Sequence, residues 1–133
     1  MSSKIRTDRL HEPVVKYAGK NVIALKQTDT VADALAFLKN QNIANEIVYI
    51  YVVDENDSLT GVLPLRRLLT SESRQKLANI MIDRVVYIRD NASVLDACHK
   101  LLEYRFLALP IVDKDKKILG VIDISLFTDE VTA

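Results

Sequence analysis

The chain has 133 residues, 49% of them hydrophobic, and its 18 basic side chains balance its 18 acidic ones. The length favours a single domain and the hydrophobic fraction can support a buried core, while the charge balance gives no electrostatic argument for nucleic-acid binding. No apolar run approaches the roughly 18 residues of a membrane span, and no signal-peptide pattern opens the sequence. A single cysteine cannot form an internal disulfide, so the composition predicts a cytoplasmic protein that is not inserted into a membrane.

In chain order, the first predicted elements are a polar arm at residues 1–10, a strand at 22–25 and a helix after Thr30. Thr30 stands three residues before Asp33, which is the spacing of a capping box with Asp in place of the usual Glu or Gln. The next run, residues 46–53, is apolar on both faces and predicts a strand that is buried on both sides.

A β-hairpin and a short helix complete this half of the chain. The hairpin at residues 53–63 has a polar reversal followed by a Leu-x-Gly-Val motif, which contains Gly61. The short helix is predicted at residues 64–69. The polar stretch at residues 71–76 is the predicted linker to the second half.

The second half repeats this pattern. Thr30 corresponds to Ser93, 63 positions later, and Gly61 corresponds to Gly120, 59 positions later. The equivalent strand, hairpin and short helix are predicted at residues 85–88, 112–122 and 124–131. Such an internal repeat indicates two copies of one structural unit.

Each half is therefore predicted to be a β-α-β-β-α unit of about 60 residues, which is at the small end for burying its own core. The sequence predicts one pseudo-symmetric domain of mixed α/β (α+β) class, whose two sheets pack face to face. Its parts are an N-terminal arm at residues 1–10, a first repeat at 11–72 and a second repeat at 73–133.

The sequence offers little that an enzyme could use. His11 and His99 do not stand in a metal-ligand spacing, and Cys98 lies on the apolar stripe of a predicted helix, as a small core residue would. Only three glycines are present, which excludes a phosphate-binding loop of the Walker or dinucleotide type. We therefore predict a protein that is not an enzyme.

Two tyrosines on the apolar strand leave two interpretations open. Tyr49 and Tyr51 share one face of the strand and need polar partners if they are buried. They either belong to the core or to a subunit contact, or they line a ligand cleft.

The repeated pattern of capped helix, apolar strand ending in Asp, turn and Leu-x-Gly-Val resembles a tandem pair of CBS (cystathionine-β-synthase) domains, over residues 11–131. Residues 47–69 and 107–113 are similar in more detail to the CBS pair of MgtE-type magnesium transporters. The resemblance implies a Bateman module with a pseudo-twofold axis and two clefts. It also implies a regulatory role, with adenosine-containing molecules or cations as ligands.

The resemblance implies a set of cleft residues, namely Tyr49, Tyr51, Arg67, Leu109 and Asp123. Modules that bind adenosine ligands commonly have Gly, two apolar residues, Thr or Ser, two variable residues and Asp. Here Pro64 takes the Thr/Ser position and Arg67 the Asp position in the first copy, and Asp123 and Leu126 take the same two positions in the second. AMP, ATP and S-adenosylmethionine are therefore predicted to be poorer ligands than a cation.

The cation interpretation depends on carboxylates near the end of the second copy. In the MgtE-type pattern such carboxylates hold magnesium, and Asp129 occupies one of these positions while Asp123 adds a second carboxylate. One or two carboxylates can hold Mg²⁺ weakly, because the ion keeps several of its waters. The alternative for Asp123 is a helix N-cap.

The two short helices also predict a homodimer, because they carry more apolar surface than one small repeat need expose. The residues concerned are Leu65, Leu68, Leu69, Leu126 and Phe127. The leading hypothesis is thus a homodimeric regulatory CBS pair that senses a divalent cation such as magnesium for a partner or an attached membrane transporter. The alternatives are an adenosine-nucleotide sensor and a ligand-free dimerisation module.

Overall fold

A computed structural model describes residues 9–41 and 48–127. The strands are β1 (Val22–Lys26), β2 (Tyr49–Val53), β3 (Leu59–Val62), β4 (Ile88–Arg89), β5 (Ala108–Val112) and β6 (Ile118–Asp123). The helices are α1 (Val31–Lys39), α2 (Leu65–Thr70), α3 (Leu77–Ile80) and α4 (Val94–Tyr104), with short 3₁₀ helices at Val14–Tyr17 and Ile124–Phe127.

The chain forms two compact units with the same internal topology. Unit I comprises residues 21–85, and unit II comprises residues 1–20 together with 86–133. Each contains a three-stranded sheet, in the order β1-β2-β3 or β4-β5-β6, in which the first two strands are parallel and the last two antiparallel. The prediction of two β-α-β-β-α repeats of α+β class is confirmed.

Both long helices begin with a complete capping box. The Thr30 side chain accepts a hydrogen bond from the Asp33 backbone N–H at 3.1 Å, and the Asp33 carboxylate accepts one from the Thr30 N–H at 3.0 Å. Ser93 and Asp96 repeat the two bonds at 3.1 and 3.0 Å. These backbone bonds favour the carboxylate form, so they lower the pKa values of Asp33 and Asp96. The capping boxes that the sequence predicts are therefore present in both repeats.

The first turn of α1 is covered by a segment that we call strap I, residues 73–82. The first two amides of α1, those of Val31 and Ala32, donate to the carbonyls of Gln75 and Ser73 at 2.9 and 3.0 Å. At its other end the strap pairs with β3, since Val62 and Ile82 exchange two backbone bonds of 2.9 Å. The predicted linker is therefore a docked part of unit I that satisfies helix amides which would otherwise need water.

Unit II has an equivalent segment, strap II, at residues 10–19. The first two amides of α4 belong to Val94 and Leu95, and they donate to the carbonyls of Glu12 and Leu10, both at 2.9 Å. Gly19 donates to Val121 of β6 at 2.7 Å and accepts from it at 3.0 Å. Each strap thus joins the start of the long helix to the edge strand of the same sheet.

Neither strap packs in the unit to which the predicted repeats, residues 11–72 and 73–133, would assign it. Strap II lies within the predicted first repeat in sequence but packs in unit II, and strap I begins the predicted second repeat but packs in unit I. The predicted boundaries mark the repeat in the sequence, whereas the compact units divide the chain after residues 20 and 85.

Three predicted elements differ from the observed ones. The strand predicted at residues 85–88 is β4, Ile88–Arg89. The helix predicted at 124–131 is a 3₁₀ helix over Ile124–Phe127, and the rest of that prediction lies outside the described residues. The strand predicted at 46–53 is β2, Tyr49–Val53, with residues 46 and 47 also outside them.

Each unit has its own apolar core between sheet, long helix and strap. The core of unit I contains Leu25, Val31, Ala34, Ile50, Val52, Leu63, Leu68 and Leu77. The core of unit II contains Val14, Ile88, Ala97, Leu101, Leu109, Ile111 and Ile122. One residue of each strap, Leu77 or Val14, is completely buried and anchors the strap to its unit.

Candidate functional site

The tyrosine pair lies on β2, the central strand of unit I. Tyr51 is 3% exposed, whereas Tyr49, at the start of the strand, is half-buried. Burial, and to a smaller extent the neighbouring Tyr49, raises the pKa of Tyr51 well above its ordinary value, so its hydroxyl stays protonated at any physiological pH. Tyr51 is therefore a core residue, and Tyr49 is the member of the pair that a ligand could reach.

Arg67 lies on the exposed side of α2. Its Nη1 donates a hydrogen bond of 2.9 Å to the carbonyl of Ile80 in strap I. Pro64 is the residue before the first turn of this helix and has a φ of −63°, which suits a proline at a helix start. The guanidinium thus ties α2 to the strap, and its exposure leaves it accessible to an anion.

Leu109 is placed differently from the expectation of a cleft residue. Its side chain is 0% exposed and belongs to the core of unit II, where it lies opposite Ile122 in the β5–β6 ladder. A ligand could touch this side chain only after the core had opened. In this structure Leu109 is a packing residue.

Asp123 is the last residue of β6. Its Oδ1 accepts a hydrogen bond of 2.8 Å from the backbone N–H of Ser125, at the start of the 3₁₀ helix. This is the capping role that the sequence left open as the alternative to metal binding. Asp129, the other predicted metal ligand, lies outside the described residues.

No metal centre is assembled within residues 9–41 and 48–127. No group of three or more His, Cys, Asp or Glu residues in these ranges is placed to hold an ion. The predicted cleft residues also fall in different units, since Tyr49, Tyr51 and Arg67 belong to unit I and Leu109 and Asp123 to unit II. Of the candidates, Tyr49, Arg67 and Asp123 have side chains that a ligand could reach.

The polar reversals of the two predicted hairpins, residues 54–57 and 113–116, are hairpin turns, as the sequence indicates. Oδ1 of Asp54 accepts from the amides of Asn56 and Ser58 at 2.9 and 3.0 Å. Asp113 repeats this with Asp115 and Lys117 at 2.8 and 2.9 Å. The bond from the Lys117 amide is the main reason why the pKa of Asp113 is lowered.

Only two of the five residues of the predicted dimer surface are exposed in the structure. Leu65 and Leu69, one turn apart on α2, are 52% and 62% exposed, but Leu68 is completely buried in unit I. Leu126 and Phe127 are half-buried and pack against the core of unit II. Helix α2 therefore presents two of its three leucines.

The straps and a second exposed apolar cluster are not predicted from the sequence. The cluster spans the end of α4 and consists of Leu102, Tyr104, Phe106 and Leu107, in which the rings of Tyr104 and Phe106 stack with centroids 5.5 Å apart. The sequence indicates this cluster by apolar residues at positions 102–107 that are not needed for the core-facing side of α4. Among the described residues, no helix is both long enough and apolar enough to cross a membrane.

Two three-stranded sheets, each with a capped long helix, a hairpin and a docked strap, define the class of the protein as a tandem α+β repeat module. The family model for the CBS domain matches residues 14–73 and 77–130, and the chain belongs to the CBS domain family as a tandem pair. The resemblance noted in the sequence is confirmed.

Several relatives are magnesium transporters. The chain is 35% identical over 112 residues to the magnesium transporter MgtE of Thermus thermophilus, which is 84% of this chain and 25% of the relative. It is 32% identical to MgtE of Enterococcus faecalis over 80% of this chain and 24% of the relative. The chain thus spans about a quarter of the length of these relatives.

Solved structures show the same relationship. The cytosolic domain of the Mg²⁺ channel MgtE in complex with ATP has a TM-score of 0.72 and 34% identity, covering 80% of this chain and 43% of that one. The soluble part of a magnesium transporter has a TM-score of 0.75 and 31% identity, covering 85% of this chain and 44% of that one.

One relative in sequence is an enzyme. An inosine-5'-monophosphate dehydrogenase of Methanocaldococcus jannaschii is 28% identical over 77% of this chain and 20% of its own length. Related segments therefore occur in transporters and in enzymes.

Proposed function

We propose that this CBS pair is a cytoplasmic regulatory module of a magnesium-transport system, which senses a divalent cation and passes the signal to a partner or an attached transporter. The observation that carries the proposal is the identity of 35% with a magnesium transporter over 84% of the chain. The fold is consistent with a non-enzymatic role. Cys98 is half-buried and its pKa is raised by that burial, so the thiolate that a nucleophile needs is disfavoured.

The described residues alone do not provide a magnesium site. Asp123 is a single carboxylate that already accepts the Ser125 amide, and Mg²⁺ requires near-octahedral coordination by oxygen atoms. The cation interpretation therefore depends on Asp129, which the sequence places near the end of the chain, and on retained waters. It is tested most directly by a cation-specific gain in stability.

We expect about 10 mM MgCl₂ to raise the melting midpoint above that measured in sodium chloride of equal ionic strength. A ligand that binds only the folded state stabilises it by RT ln(1 + [L]/Kd), which is about 1.4 kcal/mol at ten times Kd. For a domain of this size the corresponding shift is roughly 4–8 °C. The matched sodium control is needed because screening alone relieves repulsion between carboxylates. Differential scanning fluorimetry gives the midpoints.

Asp129→Asn is expected to remove most of the magnesium-specific shift. Asp115→Asn, which removes the same charge from the exposed hairpin of unit II, serves as the control and should respond as the parent does. Equal midpoints in magnesium and sodium, or an Asp129 variant that responds like the parent, would contradict the cation proposal and favour a structural dimerisation module.

An adenosine-nucleotide sensor is the second candidate, and the ATP complex of the related MgtE cytosolic domain favours it. Against it, Pro64 makes no side-chain cap hydrogen bond and has no hydroxyl to offer a phosphate. Each polar contact that is lost in a partly buried site costs about 1–3 kcal/mol. We therefore expect dissociation constants weaker than about 1 mM for AMP, ATP and S-adenosylmethionine by titration calorimetry. Micromolar affinity for any of them would make the nucleotide sensor the preferred function.

We also propose that the module is a homodimer that uses the exposed leucines of α2. Leu65 and Leu69 are separated by one helical turn and form a continuous apolar strip. Light scattering at about 100 μM should give twice the 15.0 kDa monomer mass. Leu65→Ser combined with Leu69→Ser should give a monomer, whereas Leu107→Ser, which changes another exposed leucine, should leave the dimer intact. A monomeric parent protein would contradict this proposal.

A further inference from the structure

We propose that strap II is a latch that opens locally while the rest of unit II stays folded, whereas strap I opens only when unit I unfolds. The two straps can be compared position by position, because residues 10–19 and 73–82 are related by the 63-position offset of the repeat. Two helix amides and two antiparallel bridges hold each strap. Strap I has one further backbone bond, from the Ala78 amide to the Gln27 carbonyl at 3.0 Å, which strap II lacks. The straps also differ in their side chains and their tethers.

Strap II has the smaller side chain at three of the positions that hold a strap to its unit, although its Tyr17 is larger than Ile80. Val14 takes the place of Leu77 in the core, and Ala18 takes the place of Met81. At the bridge to the edge strand, Gly19 takes the place of Ile82. Each buried methylene contributes about 0.8 kcal/mol, so strap II has less apolar stabilisation than strap I.

Side-chain hydrogen bonds do not compensate for the smaller apolar stabilisation of strap II. Lys20, the residue after strap II, donates from Nζ to the Leu119 carbonyl at 2.7 Å. Strap I has a comparable tie from Arg67 to Ile80 at 2.9 Å, and its Lys76 donates to the Thr28 carbonyl at 3.2 Å. The hydrogen bonds that Lys16 and Tyr17 donate to Glu12 lie within strap II itself. They hold the shape of the strap without holding it to unit II.

The tethers differ as well. Strap I follows α2 after only two residues, Ser71 and Glu72, so it remains close to unit I when its contacts break. Strap II is separated from β4 by all of unit I, residues 21–85. Strap I therefore keeps a short covalent link to its own unit, and strap II does not.

Opening of strap II would free backbone groups at two places in unit II, the start of α4 and strand β6. The Val94 and Leu95 amides at the start of α4 would lose their acceptors, and Val121 in β6 would lose both of its strap hydrogen bonds. Val121 stands two residues before Asp123, at the end of the same strand. A pull on the chain from its N-terminal side would break the bond to Leu10 first, so strap II can convert such a pull into a change in β6 and α4.

Hydrogen exchange measured residue by residue tests the latch on the intact chain. The amides of Gly19, Val94, Leu95 and Val121 should share one opening free energy, with protection factors at least about tenfold lower than those of the equivalent amides of unit I. Those equivalents are Ile82, Val31, Ala32 and Val62. Equal protection in the two sets overturns the proposal. It is also overturned if Leu101, in the middle of α4, exchanges as fast as the strap amides, because unit II would then open as a whole.

A reciprocal pair of variants separates the latch from a general difference between the units. Ala18→Met gives strap II the side chain that strap I places over its glycine, and it should raise the protection of Gly19 and Val121. Met81→Ala makes the opposite change in strap I and should lower the protection of Ile82 and Val62. If Ala18→Met leaves protection at Gly19 and Val121 unchanged, the apolar anchors do not control the latch and the proposal fails.

Discussion

Replacement of Leu109 by alanine is expected to lower the free energy of unfolding by about 2–5 kcal/mol, which is the usual cost of truncating a fully buried leucine. Leu109 is 0% exposed within the core of unit II, so the deleted methyl groups would leave a cavity between the sheet and α4. A loss of this size corresponds to several degrees in the melting midpoint for each kcal/mol. Urea titration measures the free energy directly, and an unchanged slope would show that the folded state is still compact.

Leu107→Ala is the matched control for this experiment. It makes the same substitution two residues earlier, at a side chain that is 72% exposed, and surface substitutions of this kind usually change stability by less than about 0.5 kcal/mol. If Leu109→Ala were no more destabilising than Leu107→Ala, Leu109 would not be a core residue. Such a result would favour the role in a ligand cleft that the family resemblance implies.

The parts of the fold that the sequence predicts best are those with local signals. The capping boxes at Thr30 and Ser93 depend on a partner only three residues away, so the pattern identifies both ends of each interaction. The hairpins are local in the same way, because Asp54 and Asp113 bind amides two and four residues further on. An exact repeat of these signals was enough to predict two copies of one unit.

The straps could not be predicted in this way, because their partners are distant in sequence or outside their own repeat. Gly19 pairs with Val121, about a hundred positions later, and nothing in either residue specifies the other. The straps share little sequence beyond an apolar anchor, and the polarity of residues 71–76 alone predicts a linker. The straps are held by hydrogen bonds to backbone carbonyls, and because every residue has such a carbonyl, these bonds do not require particular residue types.

The candidate site shows a different limit. The run of residues 46–53 is predicted to be buried on both sides, and the burial of Tyr51 favours the core over the cleft among the interpretations left open for this residue. Leu109 stands in an equally apolar strand, β5, where four of the five residues are buried. Alternation between two faces cannot show which buried face meets a ligand. A short helix has the same limit, because only packing against unit I decides that Leu68 points inward while Leu65 and Leu69 do not.

The two repeat glycines make different contacts with the straps. A Cβ atom added to Gly120 would lie 2.7 Å from the carbonyl oxygen of Gly19 and 2.7 Å from the Cβ of Ala18. The oxygen cannot move away freely, because it accepts the hydrogen bond from the Val121 amide. The three atoms nearest to a Cβ added to Gly61 all belong to the flexible side chain of Met81, whose sulfur end can rotate away.

Gly120→Ala is therefore expected to destabilise the protein by about 1–3 kcal/mol, because the added Cβ meets backbone and because Gly120 has a φ of +159°, which side chains rarely adopt. Gly61→Ala should cost less than about 1 kcal/mol. The two substitutions are chemically identical and occupy equivalent positions in β6 and β3, so each serves as the control for the other. Chemical denaturation of both variants measures the difference. Equal losses would show that strap II can move as readily as the Met81 side chain, and the close approach of Gly19 to Gly120 would then not constrain the edge of unit II.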